Sequence, residues 1–287
     1  MEDIYIGTPN AKQDEFLRCK KKYVAFGGAR GGGKSWAVRC KAKLLAQRYP
    51  GIRMLLVRRT MPEIETNHLE TLRLELAGTA VYRAEERRFV FGNGSVLQFG
   101  YCACDRDADR YQGAEYDVIF FDEATQLKEQ WMRKLAACVR GALDGVPKRC
   151  YLTCNPGGIG HQWVKRLFVD RRFKPGERAE EYSFIPAGVR DNKALMRAQP
   201  DYIKQLEALP PKLRAAWLEG RWDVLAGQVF QEFTDDPAHY ADRRWTHVIR
   251  PFDIPREWNV YRSYDFGYAK PFSCGWGAVD HDGVIYR

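Results

Sequence analysis

The sequence has no CxxC pair and no cysteine/histidine spacing of the zinc-site kind, although it carries eight cysteines, at 19, 40, 102, 104, 138, 150, 154 and 274. That scatter excludes a structural zinc module and a disulfide framework, and reads as reduced, intracellular thiols. No apolar run approaches the roughly 18 residues of a membrane span. The opening MEDIYIG is acidic where a secretory leader is basic. The expectation is a cytoplasmic protein with no membrane partner. Internal repeats and low-complexity tracts are also missing, which excludes a repeat array.

What is present suits a globular enzyme. The 287 residues, 45% hydrophobic and 29% charged, suffice for one large α/β domain and a smaller or partial second one. With 46 Lys and Arg against 37 Asp and Glu, the formal net charge of +9 attracts polyanions without naming one. The basic clusters at 20–22, at Arg58 and Arg59, and at Arg171 and Arg172 each read as solvated surface.

Along the chain, residues 22–26 form a short β-rich run that breaks into GGARGGGKS, and 36–48 read as a helix stopped by Pro50 and Gly51. A strand at 53–58, a charged helix near 63–76 and a hairpin with arms FVFG and SVLQFGY around Asn93 and Gly94 follow. Residues 116–121 (YDVIFF) are nearly all apolar, as in a strand buried on both faces of a parallel sheet. A helix over 126–140, strands at 149–153 and 182–185, and a polar helical region at 200–219 complete the pattern. This alternation predicts an α/β fold with a doubly wound, mainly parallel sheet, whose ligands sit beyond the carboxyl ends of the strands. The expected domains are 1–226, a linker at 227–257, and 258–287, where a strand from Val260 and a hairpin around His281, Asp282 and Gly283 begin a second domain.

Three motifs carry chemistry. The run Gly28, Ala29, Arg30, Gly31, Gly32, Gly33, Lys34, Ser35 satisfies the phosphate-loop pattern GxxxxGK(S/T). Its glycines let backbone N–H groups face a phosphate, Lys34 reaches the β and γ phosphates of ATP, and Ser35 offers a hydroxyl to Mg²⁺. In VIFFDEAT a buried strand delivers two carboxylates: Asp122 to hold the Mg²⁺ hydration shell and Glu123 to orient the attacking water. In LTCNP, Thr153 and Asn155 are short polar groups at a strand end, suited to sensing the γ-phosphate and equally to forming a turn before Pro156. Arg30, inside the loop, is placed to reach the γ-phosphate in cis.

Taken in order, GGARGGGKS, RYQGAEYDVIFFDEAT, YLTCNP and YDFGYAKP resemble the large terminase subunit of tailed bacteriophages, over essentially the whole chain from Gln13 onward. The resemblance implies a P-loop ATPase of the additional-strand, catalytic-glutamate type that drives double-stranded DNA into a procapsid. It also implies a following nuclease of RNase H-like fold using Mg²⁺ or Mn²⁺. Implied partners are the portal protein, the small terminase subunit and further copies in a ring on the portal, in the host cytoplasm. Gln13 matches the glutamine that contacts adenine. Arg110 is the nearest candidate for an arginine acting on a neighbouring subunit's ATP, although Gln112, not an arginine, directly precedes Gly113. Asp265 matches the first metal-binding aspartate of the nuclease, and with the sequence ending at Arg287 no working nuclease is expected. The rival readings are another P-loop translocase or helicase, a nucleotide kinase, and an inactive remnant. The DFG string suggests a protein kinase only superficially, since no HRD loop precedes it.

Overall fold

In the computed structural model, which describes residues 7–224, 236–242, 244, 246–265 (Asp265 by its backbone alone) and 273–287, the chain divides into two units, Met1–Gly227 and Gln228–Arg287. The first unit runs α1 (Ala11–Arg18), β1 (Tyr23–Gly28), α2 (Lys34–Arg48), β2 (Arg53–Arg58), α3 (Met61–Ile64), a π turn (Glu65–Leu69) and α4 (Glu70–Glu75). It continues through β3 (Ala80–Arg83), β4 (Arg88–Phe91), β5 (Val96–Tyr101), α5 (Asp105–Asp109), β6 (Val118–Phe121), α6 (Glu129–Ala136), β7 (Arg149–Cys154) and α7 (His161–Val164). It closes with β8 (Tyr182–Ala187), α8 (Lys193–Ala198), α9 (Tyr202–Glu207) and α10 (Pro211–Trp217).

The sheet order is β3-β4-β5-β2-β6-β7-β1-β8. From β5 to β8 every pairing is parallel, and β3 and β4 add an antiparallel edge. Strand β6 shows why the sheet lies between two layers. Val118 and Phe120 enter the core on one face, and Ile119 and Phe121 the core on the other. Full burial of each such side chain stabilises by about 1.5–3 kcal/mol. Strand β7 lies between β1, which runs into the glycine loop, and β6, which ends before Asp122. That interposed strand is the mark of the additional-strand class.

Parallel packing brings β1 and β7 very close where Gly27 pairs with Cys154. A Cβ on Gly27 would stand 1.9 Å from the Cys154 carbonyl oxygen. Gly27→Ala should therefore destabilise the first unit by about 3 kcal/mol or more, because only backbone movement relieves the clash. An unchanged urea midpoint would contradict this packing.

Several boundaries differ from the sequence reading. The helix expected over 126–140 is a 3₁₀ turn, Ala124–Gln126, followed by the shorter α6. Beyond α6 the chain leaves the helix because the Cys138 carbonyl accepts the Tyr116 N–H at 2.9 Å, with a bridge between Tyr116 and Val139. Strand β3 was not anticipated: its alternately half-buried and exposed residues sit on a sheet edge and carry little apolar signal. The single charged helix expected near 63–76 is interrupted by the π turn.

The second unit is an antiparallel sheet of order β11-β10-β9, built from β9 (Asn259–Asp265), β10 (Ser273–Val279) and β11 (Ile285–Tyr286). Asp280 closes its turn: Oδ1 accepts the Asp282 and Val284 N–H groups at 3.0 and 2.8 Å, and Oδ2 accepts the Tyr286 hydroxyl at 3.0 Å.

Candidate functional site

At the carboxyl ends of β1, β6 and β7 a cleft of ≈ 820 Å³ opens between the glycine loop and the helices that follow β8. The loop is shaped by backbone that only glycine adopts cheaply: Gly31 and Gly33 have φ of 76° and 75°. Gly33 caps α2 without any side-chain hydrogen bond, so the first N–H groups of this 15-residue helix are not spent on a cap. The Ala29 and Arg30 N–H groups, by contrast, are taken by the Ala187 and Trp217 carbonyls at 3.1 and 2.7 Å. The donors left for an anion lie around residues 31–35, where the helix dipole adds positive potential.

Lys34 is buried and donates to the Ala29 carbonyl at 2.8 Å and to Asn155 Oδ1 at 2.7 Å. Asn155 Nδ2 in turn donates to both Glu123 carboxylate oxygens, at 2.9 and 3.0 Å. The amide is thus oriented by a cation on one side and an anion on the other. Burial depresses the Lys34 ammonium below the usual lysine range, opposed by the charge of Glu123. Burial likewise raises the Glu123 carboxyl, opposed by Lys34. Glu123 holds φ 52°, ψ 53°, a left-handed conformation that costs a non-glycine residue about 1 kcal/mol or more and recurs at functional sites.

Thr153 links the Asp122 carboxylate to the Glu123 backbone. Its hydroxyl accepts the Glu123 N–H at 2.8 Å and donates to Asp122 Oδ1 at 2.6 Å. Thr153 and Asn155 therefore do more than form a turn: Thr153 binds both residues of the acidic pair and Asn155 binds Glu123. Burial opposes ionisation of Asp122, yet His68, Arg58 and Thr153 together hold its carboxyl well below the usual range. Ser35 lines the cleft, half-buried.

The remaining candidates fall in different places. Arg30 lines the cleft with its guanidinium stacked 3.3 Å above the Trp217 ring centroid. Gln13 is buried, and both ends of its amide are engaged. Oε1 accepts the Asn10 N–H at 2.9 Å and Nε2 donates to the Gly33 carbonyl at 3.3 Å, so it braces the glycine loop. A Cβ on Gly33 would meet that Nε2 at 2.4 Å. Arg110 follows α5, bound to Asp107 Oδ1 at 2.5 Å and to the Tyr101 hydroxyl at 3.0 Å, and does not line the cleft. Asp265 pairs through its backbone with Ser273, its side chain lying outside the described residues together with 266–271 of YDFGYAKP.

Two features escaped the sequence reading. Arg58, read there as solvated surface, lines the cleft with its side chain only 11% exposed and donates to Asp122 Oδ2 at 3.1 Å. It is withdrawn from solvent because β2 pairs directly with β6. The other feature is the wall made by α8, α9 and α10, where Leu195, Tyr202, Leu213 and Trp217 face the loop and Asn192 Nδ2 donates to the Gly31 carbonyl at 2.8 Å.

Residues 25–234 match the family described as terminase large subunit, T4likevirus-type, N-terminal. A search of curated proteins gives no match. Among solved structures, the large terminase from a thermophilic bacteriophage superposes with a TM-score of 0.62 at 17% identity, covering 98% of this chain and 67% of that one. Structures of that terminase with ADP and with ATP-γ-S are similar to this chain as well. The large terminase ATPase domain of Thermus phage P74-26 gives 0.51 at 16% identity, covering 75% of this chain and 94% of that domain. The HK97 bacteriophage large terminase gives 0.50 at 12%, covering 97% and 62%. The chain spans about two-thirds of the length of the whole terminases it matches. Among the described residues no helix is long and apolar enough to cross a membrane.

Proposed function

The chain belongs to the terminase large subunit family, and we propose that its first unit is an ATP-hydrolysing motor that moves double-stranded DNA into a procapsid. The observation that carries this reading is the line from Lys34 through Asn155 to Glu123, which spans three strand ends and faces the glycine loop across one cleft. In this reading the loop N–H groups and Lys34 hold the β and γ phosphates, and Glu123 orients a water whose oxygen bonds to the γ-phosphorus as the bond to the β-phosphate oxygen breaks. ADP and phosphate leave. Ser35 in the cleft wall and Asp122 behind it are hard oxygen donors of the kind Mg²⁺ takes, and Mg²⁺ when bound would neutralise charge on the phosphates. Arg30 lies within the loop for a cis contact once it leaves Trp217.

Arg110, exposed and away from its own cleft, is proposed to act on a neighbouring subunit in a ring on the portal protein, with the small terminase subunit as a further partner. If so, mixing Arg110→Ala with Glu123→Gln subunits partly restores turnover on the assembled ring; no recovery removes the trans role. Gln13 is proposed to set the loop through its hold on Gly33, and a contact to adenine would use the amide's remaining N–H and acceptor position. Asp265 is proposed as a metal ligand of an RNase H-like nuclease that begins in the second unit.

Duplex DNA should raise the steady-state ATPase rate, since a motor spends nucleotide when its track is engaged. The rise should shrink with salt, because the contacts of a basic protein to phosphates are screened. A rate indifferent to DNA at every salt concentration would reject the DNA-motor part of this reading and leave a simple ATPase.

A further inference from the structure

Asp122 is 1% exposed, and both of its oxygens are engaged. Oδ1 accepts the Thr153 hydroxyl, while Oδ2 accepts Arg58 Nη1 at 3.1 Å and lies 2.9 Å from His68 Nε2. An ionised carboxylate offers about four acceptor positions. With three occupied, its plane is fixed and one position, on Oδ1, is left open. Both partners of Oδ2 come from the segment running from the end of β2 into the π turn.

That segment is built to deliver them. A π turn is rare and costs regular hydrogen bonding, and such turns concentrate at functional sites. This one is tied down: Arg39 Nη1 of α2 donates to the Asn67 carbonyl at 2.9 Å, and Glu63 accepts the Thr60 N–H at 3.1 Å and stands 3.8 Å from Arg58 Nε. His68 is 0% exposed, and its Nδ1 has no hydrogen-bond partner among the described residues. For the fold alone, an apolar side chain of similar size would serve as well, because a buried imidazole with one unsatisfied nitrogen carries a desolvation penalty. Among the described residues its one polar contact is Asp122.

We propose that His68, together with Arg58, is a positioning residue that fixes the orientation in which Asp122 meets the metal shell of the bound nucleotide. The inference rests on the ATPase reading above and adds to it a clamp supplied from outside the three sequence motifs. Carboxylate orientation, not nucleotide contact, is what His68 contributes.

The test uses the full chain and three variants. His68→Leu removes the nitrogen and keeps the volume, His68→Gln keeps an N–H donor, and Arg58→Met removes the other partner of Oδ2. Mn²⁺ binding to the protein–ADP complex is followed by electron paramagnetic resonance, ADP affinity is measured in EDTA, and ATP turnover is measured separately. His68→Leu should raise the Mn²⁺ concentration for half-occupancy by about 10- to 100-fold, the usual effect of removing a partner that orients a metal ligand. ADP affinity in EDTA should stay close to wild type, and His68→Gln should recover most of the loss. Unchanged Mn²⁺ affinity in His68→Leu overturns the proposal, as does an equal loss of ADP affinity without metal. If His68→Leu does not fold, Arg58→Met carries the same expectation for Mn²⁺ affinity, and unchanged Mn²⁺ affinity there overturns the proposal. A wild type that binds Mn²⁺ and ADP without turning over ATP would defeat the ATPase reading, while the Mn²⁺ titration would still judge His68.

Discussion

Glu123→Gln should lower the ATP turnover number by about 10² to 10⁴, the usual contribution of a positioned general base, and leave nucleotide binding nearly unchanged. The substitution keeps the size of the side chain, its strained backbone and an acceptor for Asn155 Nδ2, which now reaches both carboxylate oxygens. It removes the charge that polarises water. The glycine loop, Lys34, Ser35 and Asp122 are untouched, so a fluorescent ATP analogue should bind Glu123→Gln with near wild-type affinity. A variant that binds normally and still turns over at the wild-type rate would show that another group handles the water.

Lys34→Ala should fail at an earlier stage. The ammonium is buried between the Ala29 carbonyl and Asn155 Oδ1, and its removal leaves Asn155 and Glu123 facing a phosphate with no cation between them. Truncating one partner of a buried, hydrogen-bonded charge arrangement typically costs about 2–5 kcal/mol, which is roughly 30- to 5,000-fold in affinity. Nucleotide affinity and turnover should therefore fall together, unlike in Glu123→Gln. Titration with the same fluorescent analogue separates the two: near wild-type binding by folded Lys34→Ala would mean that the loop backbone alone holds the phosphates.

The contrast between these variants marks how far the sequence could be read. Both residues sit in motifs whose meaning is local: a glycine run needs its φ values where it stands, and VIFF is apolar throughout because both faces of β6 are covered. Thr153 and Asn155 were ambiguous because a strand end before a proline suits a turn as well as a site. Only the position of β7 between β1 and β6 brings Thr153 to Asp122 and Asn155 to Glu123.

Arg58 and His68 were beyond local reading for the same reason, since their common partner is 64 and 54 residues away along the chain. A charged residue at a strand end resembles surface until the neighbouring strand is known. Nor does a histidine in a charged helix announce the π turn that buries it. Helices α9 and α10 were visible as a polar helical region and α8 was not, and nothing in the composition indicated that Tyr202 and Trp217 would face the loop. The edge strand β3 lacked the apolar alternation that made the other strands visible.

Phosphate release from γ-labelled ATP, followed for the wild-type chain and Glu123→Gln side by side with Mg²⁺ and saturating nucleotide, tests the central claim most directly. Continuous multiple-turnover release by the wild type, with the variant reduced by at least about 10²-fold while still binding nucleotide, is the expected result. Equal release by both proteins, or none by a folded wild type that binds ATP, would contradict the assignment of this cleft as an ATPase site.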